Sequence, residues 1–161
     1  MSVPQLGYLC LGENPSDEAG RALIRQFVLV READRMGYDD IWLGEQHADS
    51  AWPQGAIVAL LGHLAAASTK ARIGALPLLP ALRQAQPLAE DLATLDLLSK
   101  GRLELAVASG GAQPGVLAAH GLTPATARER LIHVMAELQQ ILCAPQAAQP
   151  GSAGLVPAPG R

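Results

Sequence analysis

Aromatic side chains are scarce in this chain: one Phe, two Tyr and two Trp make up 3% of its 161 residues. That excludes the stacking platform on which single-stranded nucleic acid is held. Positive charge is also thin. Twelve Lys and Arg against fifteen Asp and Glu leave a net charge of −3, so the basic footprint of a phosphate-backbone binder is missing. Two cysteines, Cys10 and Cys143, lack the spacing of a metal or redox site and are read as buried, reduced thiols. No apolar run reaches the length that spans a bilayer, which leaves no membrane partner. Met1 to Pro15 carries no basic segment followed by an apolar one, so no export signal is expected and a cytoplasmic protein is the default.

What the chain has is apolar residues, 49% of the total, enough to build a core in one domain. QLGYLCL (5–11) reads as a buried first strand ended by Gly12. Ser16, followed by Asp17 and Glu18, suits a helix N-cap with acids in the first turn. Leu23, Phe27, Val30 and Met36 then recur at helical spacing until Gly37 offers a left-handed stop. Residues 41–43 form a second strand, and 56–68 a second helix that is almost wholly apolar or small. A third strand covers 71–79. Pro87 sits in the first turn of a third helix, whose Leu88, Leu92, Leu95 and Leu98 share a face before Gly101. A fourth strand, Leu103 to Ala108, runs into Gly110-Gly111. A last helix spans 124–143, with Leu131, Val134, Leu138 and Leu142 inward. Residues 145–161, rich in Pro, Gly, Ala and Gln, bury almost nothing and are read as a disordered tail behind a domain of residues 1–144.

Four strand–helix units in strict alternation call for a parallel sheet with right-handed crossovers. Either an open doubly wound sheet or part of an eight-fold barrel satisfies that pattern, and periodicity does not choose between them.

Three stretches carry a family resemblance: READRMGYDDIWLGEQH (31–47), LAEDLATLDLLSKGRLELAVASGG (88–111) and RERLIHVMAELQQIL (128–142). In order and separation they resemble the luciferase-like flavin-dependent monooxygenases over about residues 3–143. The resemblance implies an α/β fold, the N-terminal half of a (β/α)8 TIM-type barrel with about four β-α units. It also implies a flavin at the C-terminal ends of the strands, where barrel enzymes keep their sites. The cofactor is FMN, used for monooxygenation, or F420 in hydride-transferring relatives.

The same resemblance assigns residues. Glu45 and His47 after strand two are the catalytic candidates near the ring, and Gln84 lies in the loop after strand three. Ser109 and Gly110 after strand four, with Arg128, are candidates for the phosphate; backbone N–H groups around Gly110 suit an anion. Leu76 and Pro77 match a cis peptide that lies against the flavin in the family. An X–Pro bond reaches cis far more readily than others, so Leu76–Pro77 is predicted to be cis; the competing expectation is a strand that ends at Leu76. Arg128 reads equally well as a solvated helix-face arginine.

The chain departs from the family at three points. Gln46 stands where the first histidine of Glu-His-His is usual, and glutamine takes no proton near neutral pH. Gln84-Ala85 replaces His-Pro or Asn-Pro, and Ser109 replaces a phosphate-binding arginine. These departures and the missing half-barrel imply reduced or no activity for this chain alone. The alternative is a non-catalytic flavin-binding or partner-binding remnant.

Half a barrel has open edges that invite association, so a homo-oligomer or a second barrel half is the expected partner. Ala59, Gly62 and Ala66 form a small-residue stripe on the second helix that permits close helix approach. That stripe packs either on the chain's own sheet or on a second copy. His63 on the same helix is expected to be a core or interface histidine rather than a ligand.

Overall fold

The computed structural model describes residues 4–13, 18–48 and 52–143. The N-cap expected at Ser16 and the tail expected from 145 onward lie outside them. The described residues fall into two compact units, those within 1–78 together with 102–107, and those within 79–101 together with 108–161.

The first unit holds the sheet. Strands β1 (Gly7–Cys10), β2 (Asp40–Leu43), β3 (Arg72–Leu78) and β4 (Leu103–Val107) are all parallel and lie in the spatial order β1-β2-β3-β4. A doubly wound sheet reverses its strand order at a switch point. This sheet never reverses, which is the progression of a (β/α)8 barrel. The register puts Tyr8, Cys10, Ile41, Leu43, Ile73 and Ala75 on one face. Ile41, Leu43, Ile73 and Ala75 are fully buried there, where α1 (Ala19–Met36) packs on β1 and β2 and α2 (Ile57–Ala67) on β3. The opposite face carries Leu9, Asp40, Trp42, Arg72, Gly74 and Glu104. Arg72 spans its N-terminal end, pairing with Asp40 at 2.7 Å and Glu104 at 2.8 Å.

Helix α1 ends as expected, with Gly37 left-handed at φ 88°. Its buried stripe, however, is Ala22, Gln26, Val30, Ala33 and Asp34, while Met36 is exposed. The small residues let the helix lie close to the sheet, and the larger side chains flank the contact. Asp34 supplies a lock between α1 and the turn before β3. Its carboxylate accepts the backbone N–H groups of Thr69 (2.9 Å), Lys70 (3.0 Å) and Ala71 (2.8 Å). Burial pushes the carboxyl pKa up, but these donors outweigh it and hold it below its ordinary value. Arg102, just before β4, closes the C-terminus of α2, donating to the carbonyls of Ala65 (3.3 Å), Ser68 (3.1 Å) and Ala71 (2.7 Å). The small stripe of α2 does not pack inward: Ala59 and Ala66 are exposed and Gly62 is half-buried, and His63 beside them is exposed too. His63 meets the ring of Phe27 edge-on at 4.2 Å.

The second unit is helical: a 3-10 turn (Pro80–Leu82), α3 (Ala85–Ser99), α4 (Pro114–Ala119) and α5 (Pro124–Cys143). Leu88, Leu92 and Leu95 of α3 are buried, but Leu98 is 61% exposed because the inward stripe continues through Ser99 instead. Lys100 takes the left-handed C-cap position, one residue before Gly101. Thr123 caps α5: its Oγ1 accepts from the N–H of Thr126 at 3.2 Å, and Thr126 Oγ1 accepts from the N–H of Thr123 at 2.8 Å. Val134 and Leu138 are buried on α5, with Leu131 and Leu142 half-buried. Cys10 is buried as expected, but Cys143, off the inward stripe of α5, is exposed. Ala81, Leu117 and Ala127 form a small core that draws α4 onto α5.

Candidate functional site

The end of β2 positions the first group of candidates. The strand releases the chain at Gly44, and Glu45 follows with its side chain wholly buried. His47 Nε2 lies 2.6 Å from Glu45 Oε1, and the histidine side chain keeps 24% of its surface open. A contact this short between a buried carboxyl group and an imidazole is a hydrogen bond. It fixes the orientation of the ring. Gln46, between them, is half-buried. Ala48 turns the chain away with a left-handed φ of 53°, uncommon for a residue with a β-carbon.

The end of β3 lies beside this loop. The carbonyl oxygen of Leu76 is 3.7 Å from the point where a side chain on Gly44 would begin. The Leu76–Pro77 bond is cis, as the sequence predicts. The strand does not stop at Leu76 but continues to Leu78 through an irregularity between Ala75 and Leu78. Proline has no N–H to give the ladder, so pairing with β4 breaks there and resumes one residue later. Leu76 is consequently turned outward, 39% exposed, in line with Leu9 (44%) and Leu11 (41%) on the same unit.

Glu45, His47 and Leu76 are therefore brought to one end of one sheet. The remaining candidates belong to the second unit. Ser109 is half-buried, and Gly110 is buried with φ 80°, its α-carbon so close to Leu117 that a β-carbon would stand 3.3 Å from that side chain. The Gly110 carbonyl accepts from the N–H of Gln113 at 2.9 Å, turning the chain into α4. Helix α4 is an element that the sequence pattern alone does not mark; Pro114 in its first turn is its legible signal. Arg128 is exposed in the first turns of α5. Gln84 is the exposed residue preceding α3.

Sequence reasoning passed over Gln54. It is fully buried, and a β-carbon on Gly12 would stand 2.6 Å from the end of its amide. Its amide satisfies its neighbours when Nε2 faces the carbonyls of Gly44 and Leu11 (the latter at 3.0 Å). Oε1 then accepts from the Gly12 N–H (3.3 Å) and from the Gln26 side-chain amide.

Among the described residues, no helix is long and apolar enough to cross a membrane, and no group of three or more His, Cys, Asp or Glu is placed to hold a metal ion.

Comparison with known proteins follows the same lines as the fold. The profile of the luciferase-like monooxygenases matches residues 4–144. The uncharacterised protein YvbT of Bacillus subtilis is 32% identical over 87 residues, 54% of this chain and 25% of that protein. Among solved structures, the monooxygenase RslO1 of Streptomyces bottropensis superposes with a TM-score of 0.83 at 20% identity, over 98% of this chain and 51% of its own. The oxygenating constituent of 3,6-diketocamphane monooxygenase from Pseudomonas putida, solved with FMN, gives 0.79 at 18% identity over 92% and 42%. The coenzyme F420-dependent tetrahydromethanopterin reductase of Methanopyrus kandleri gives 0.60 at 18% identity over 96% and 45%. The chain thus spans about half the length of these structures, and its match covers about a quarter of the curated relative.

Proposed function

This chain belongs to the luciferase-like monooxygenase family, and from that premise we propose that it is a flavin-dependent oxidoreductase module with reduced or no turnover on its own. The observation that carries the reading is the Glu45–His47 pair, held at 2.6 Å where β2 ends. Barrel enzymes place their chemistry at this end of the strands.

The side chains present suit a flavin. Leu9, Leu11 and Leu76 offer exposed apolar surface for a planar ring, and His47, held by the buried Glu45, adds an imidazole for its polar edge. Such a cofactor supplies the oxygen-activating or hydride-transferring chemistry, while protein groups orient it and exclude water. His47, oriented by Glu45, is the group that touches the ring. FMN is the expected cofactor and F420 the alternative. Ser109, Gly110 and Arg128 keep the phosphate role that the resemblance gives them, and Arg128→Ala tests it.

Strands β1 and β4 each pair on one side only among the described residues. Further strands, from a second copy of this chain or from a second barrel half, cover these open sides. The exposed small stripe of α2 favours association of copies over packing of that stripe on the chain's own sheet. A cytoplasmic location belongs to the same reading.

Gln46 and Ser109 support a second reading, a non-catalytic flavin-binding or partner-binding remnant, since each removes a group that moves a proton or neutralises phosphate. The test is an absorbance spectrum across a sizing column with FMN or F420 added. A flavin band travelling with the protein supports cofactor binding, and turnover then separates the two readings. No band at any cofactor concentration overturns the flavin assignment.

A further inference from the structure

We infer that Gln54 is the positioning residue of the Glu45–His47 pair, fixing the loop that carries both by hydrogen bonds to its first residue. The inference rests on the reading of that pair as the functional end of the sheet. Three observations on the same unit converge on it. Gln54 is fully buried although it is polar, and a buried amide is retained where both its donor and acceptor are used. Its Nε2 faces the carbonyl of Gly44, the residue just before Glu45, and that of Leu11 at the end of β1, while its Oε1 takes the Gly12 N–H at 3.3 Å. One side chain therefore ties the exit of β1 to the exit of β2.

The space for this tie is provided by glycines. A β-carbon on Gly12, whose φ is +71°, would stand 2.6 Å from the end of the Gln54 amide that accepts the Gly12 N–H. One on Gly44 would stand 3.5 Å from the other end of that amide, which donates to the Gly44 carbonyl. The next residue, Gly55, does the same for the histidine: a β-carbon there would lie 3.3 Å from His47 Nδ1 and 3.4 Å from the Gln46 carbonyl. Residues 54 and 55 thus touch the loop at both its ends, the amide at Gly44 and the bare backbone at His47. Gln26, itself buried, braces the amide from α1.

The test compares full-length wild type with Gln54→Met, which keeps the volume and removes the amide. The readout is the ring Cε1–Hε1 NMR signal of His47, identified by its loss in His47→Asn. The expected result is a displaced or broadened His47 signal with unmoved signals for His120 and His133. FMN affinity should fall about tenfold, the size of one hydrogen bond to a positioned group. Gln54→Asn, which shortens the reach of the amide, should displace the same signal if the methionine variant does not fold. An unmoved His47 signal in a folded Gln54 variant overturns the inference. A wild type that binds no FMN overturns the flavin reading instead, and the His47 signal still judges Gln54.

Discussion

Trp42 lies across Gly74 so closely that a β-carbon on the glycine would stand 2.6 Å from the indole Cζ3. The two are register partners on β2 and β3, so the missing side chain on one strand is the seat of the ring on the other. The added carbon would also press on the Glu104 backbone carbonyl, so Gly74→Ala is expected to destabilise the fold by at least about 1–3 kcal/mol through overpacking, read as a lower urea midpoint. Gly20→Ala is the control. Nothing lies within 4 Å of its added carbon on α1, so it should be neutral or stabilise by up to about 1 kcal/mol.

Asp34 gives a prediction with a sign in pH. Its folded pKa lies below the ordinary 3.8. The contribution is therefore fully present above the unfolded value and is lost as pH falls through the folded one. Asp34→Asn should lower stability at neutral pH by about 2 kcal/mol. The acid limb of its stability curve, followed by denaturant melts from neutral pH to below the ordinary carboxyl value, should be flatter than that of wild type.

His47→Ala is expected to weaken FMN binding by about 10- to 100-fold, the range of a hydrogen bond involving a charged group. Flavin fluorescence quenching measures it. Unchanged quenching with an intact fold would remove His47 from the site.

Arg128→Ala separates its two readings by choice of ligand. If Arg128 holds phosphate, the variant should lose about tenfold in affinity for FMN and almost nothing for riboflavin, which has no phosphate. Equal affinities of variant and wild type for FMN would leave it a solvated helix-face arginine.

Much of this architecture was legible before any coordinates. The strands around Tyr8, Trp42, Gly74 and Leu105 announce themselves as short apolar runs closed by Gly or Pro, and Gly37 marks the end of α1 because only a left-handed residue stops it there. Periodicity failed where large and small apolar residues share a helix. It chose Met36 and Leu98 for the interior, whereas Ala22, Ala33 and Ser99 are buried, since close approach to a neighbouring element rewards small side chains. Glu45 and His47 are legible as candidates through the resemblance, and the structure adds that they touch at 2.6 Å. Gln54 is not legible, because a glutamine in a polar loop carries no signal of burial. Only Gly12 and Gly44, seen in three dimensions, show why an amide belongs between them.

The unreversed order of β1 to β4 has a consequence for how the sheet assembles. Each strand pairs with the one made just before it, at positions such as Gly7 with Asp40, Asp40 with Arg72 and Ile73 with Leu103. No pairing waits for a distant segment, so the entropy of closing each loop stays small and roughly constant. Such a sheet can grow one strand at a time as the polypeptide leaves the ribosome, each new strand docking on an edge that already stands.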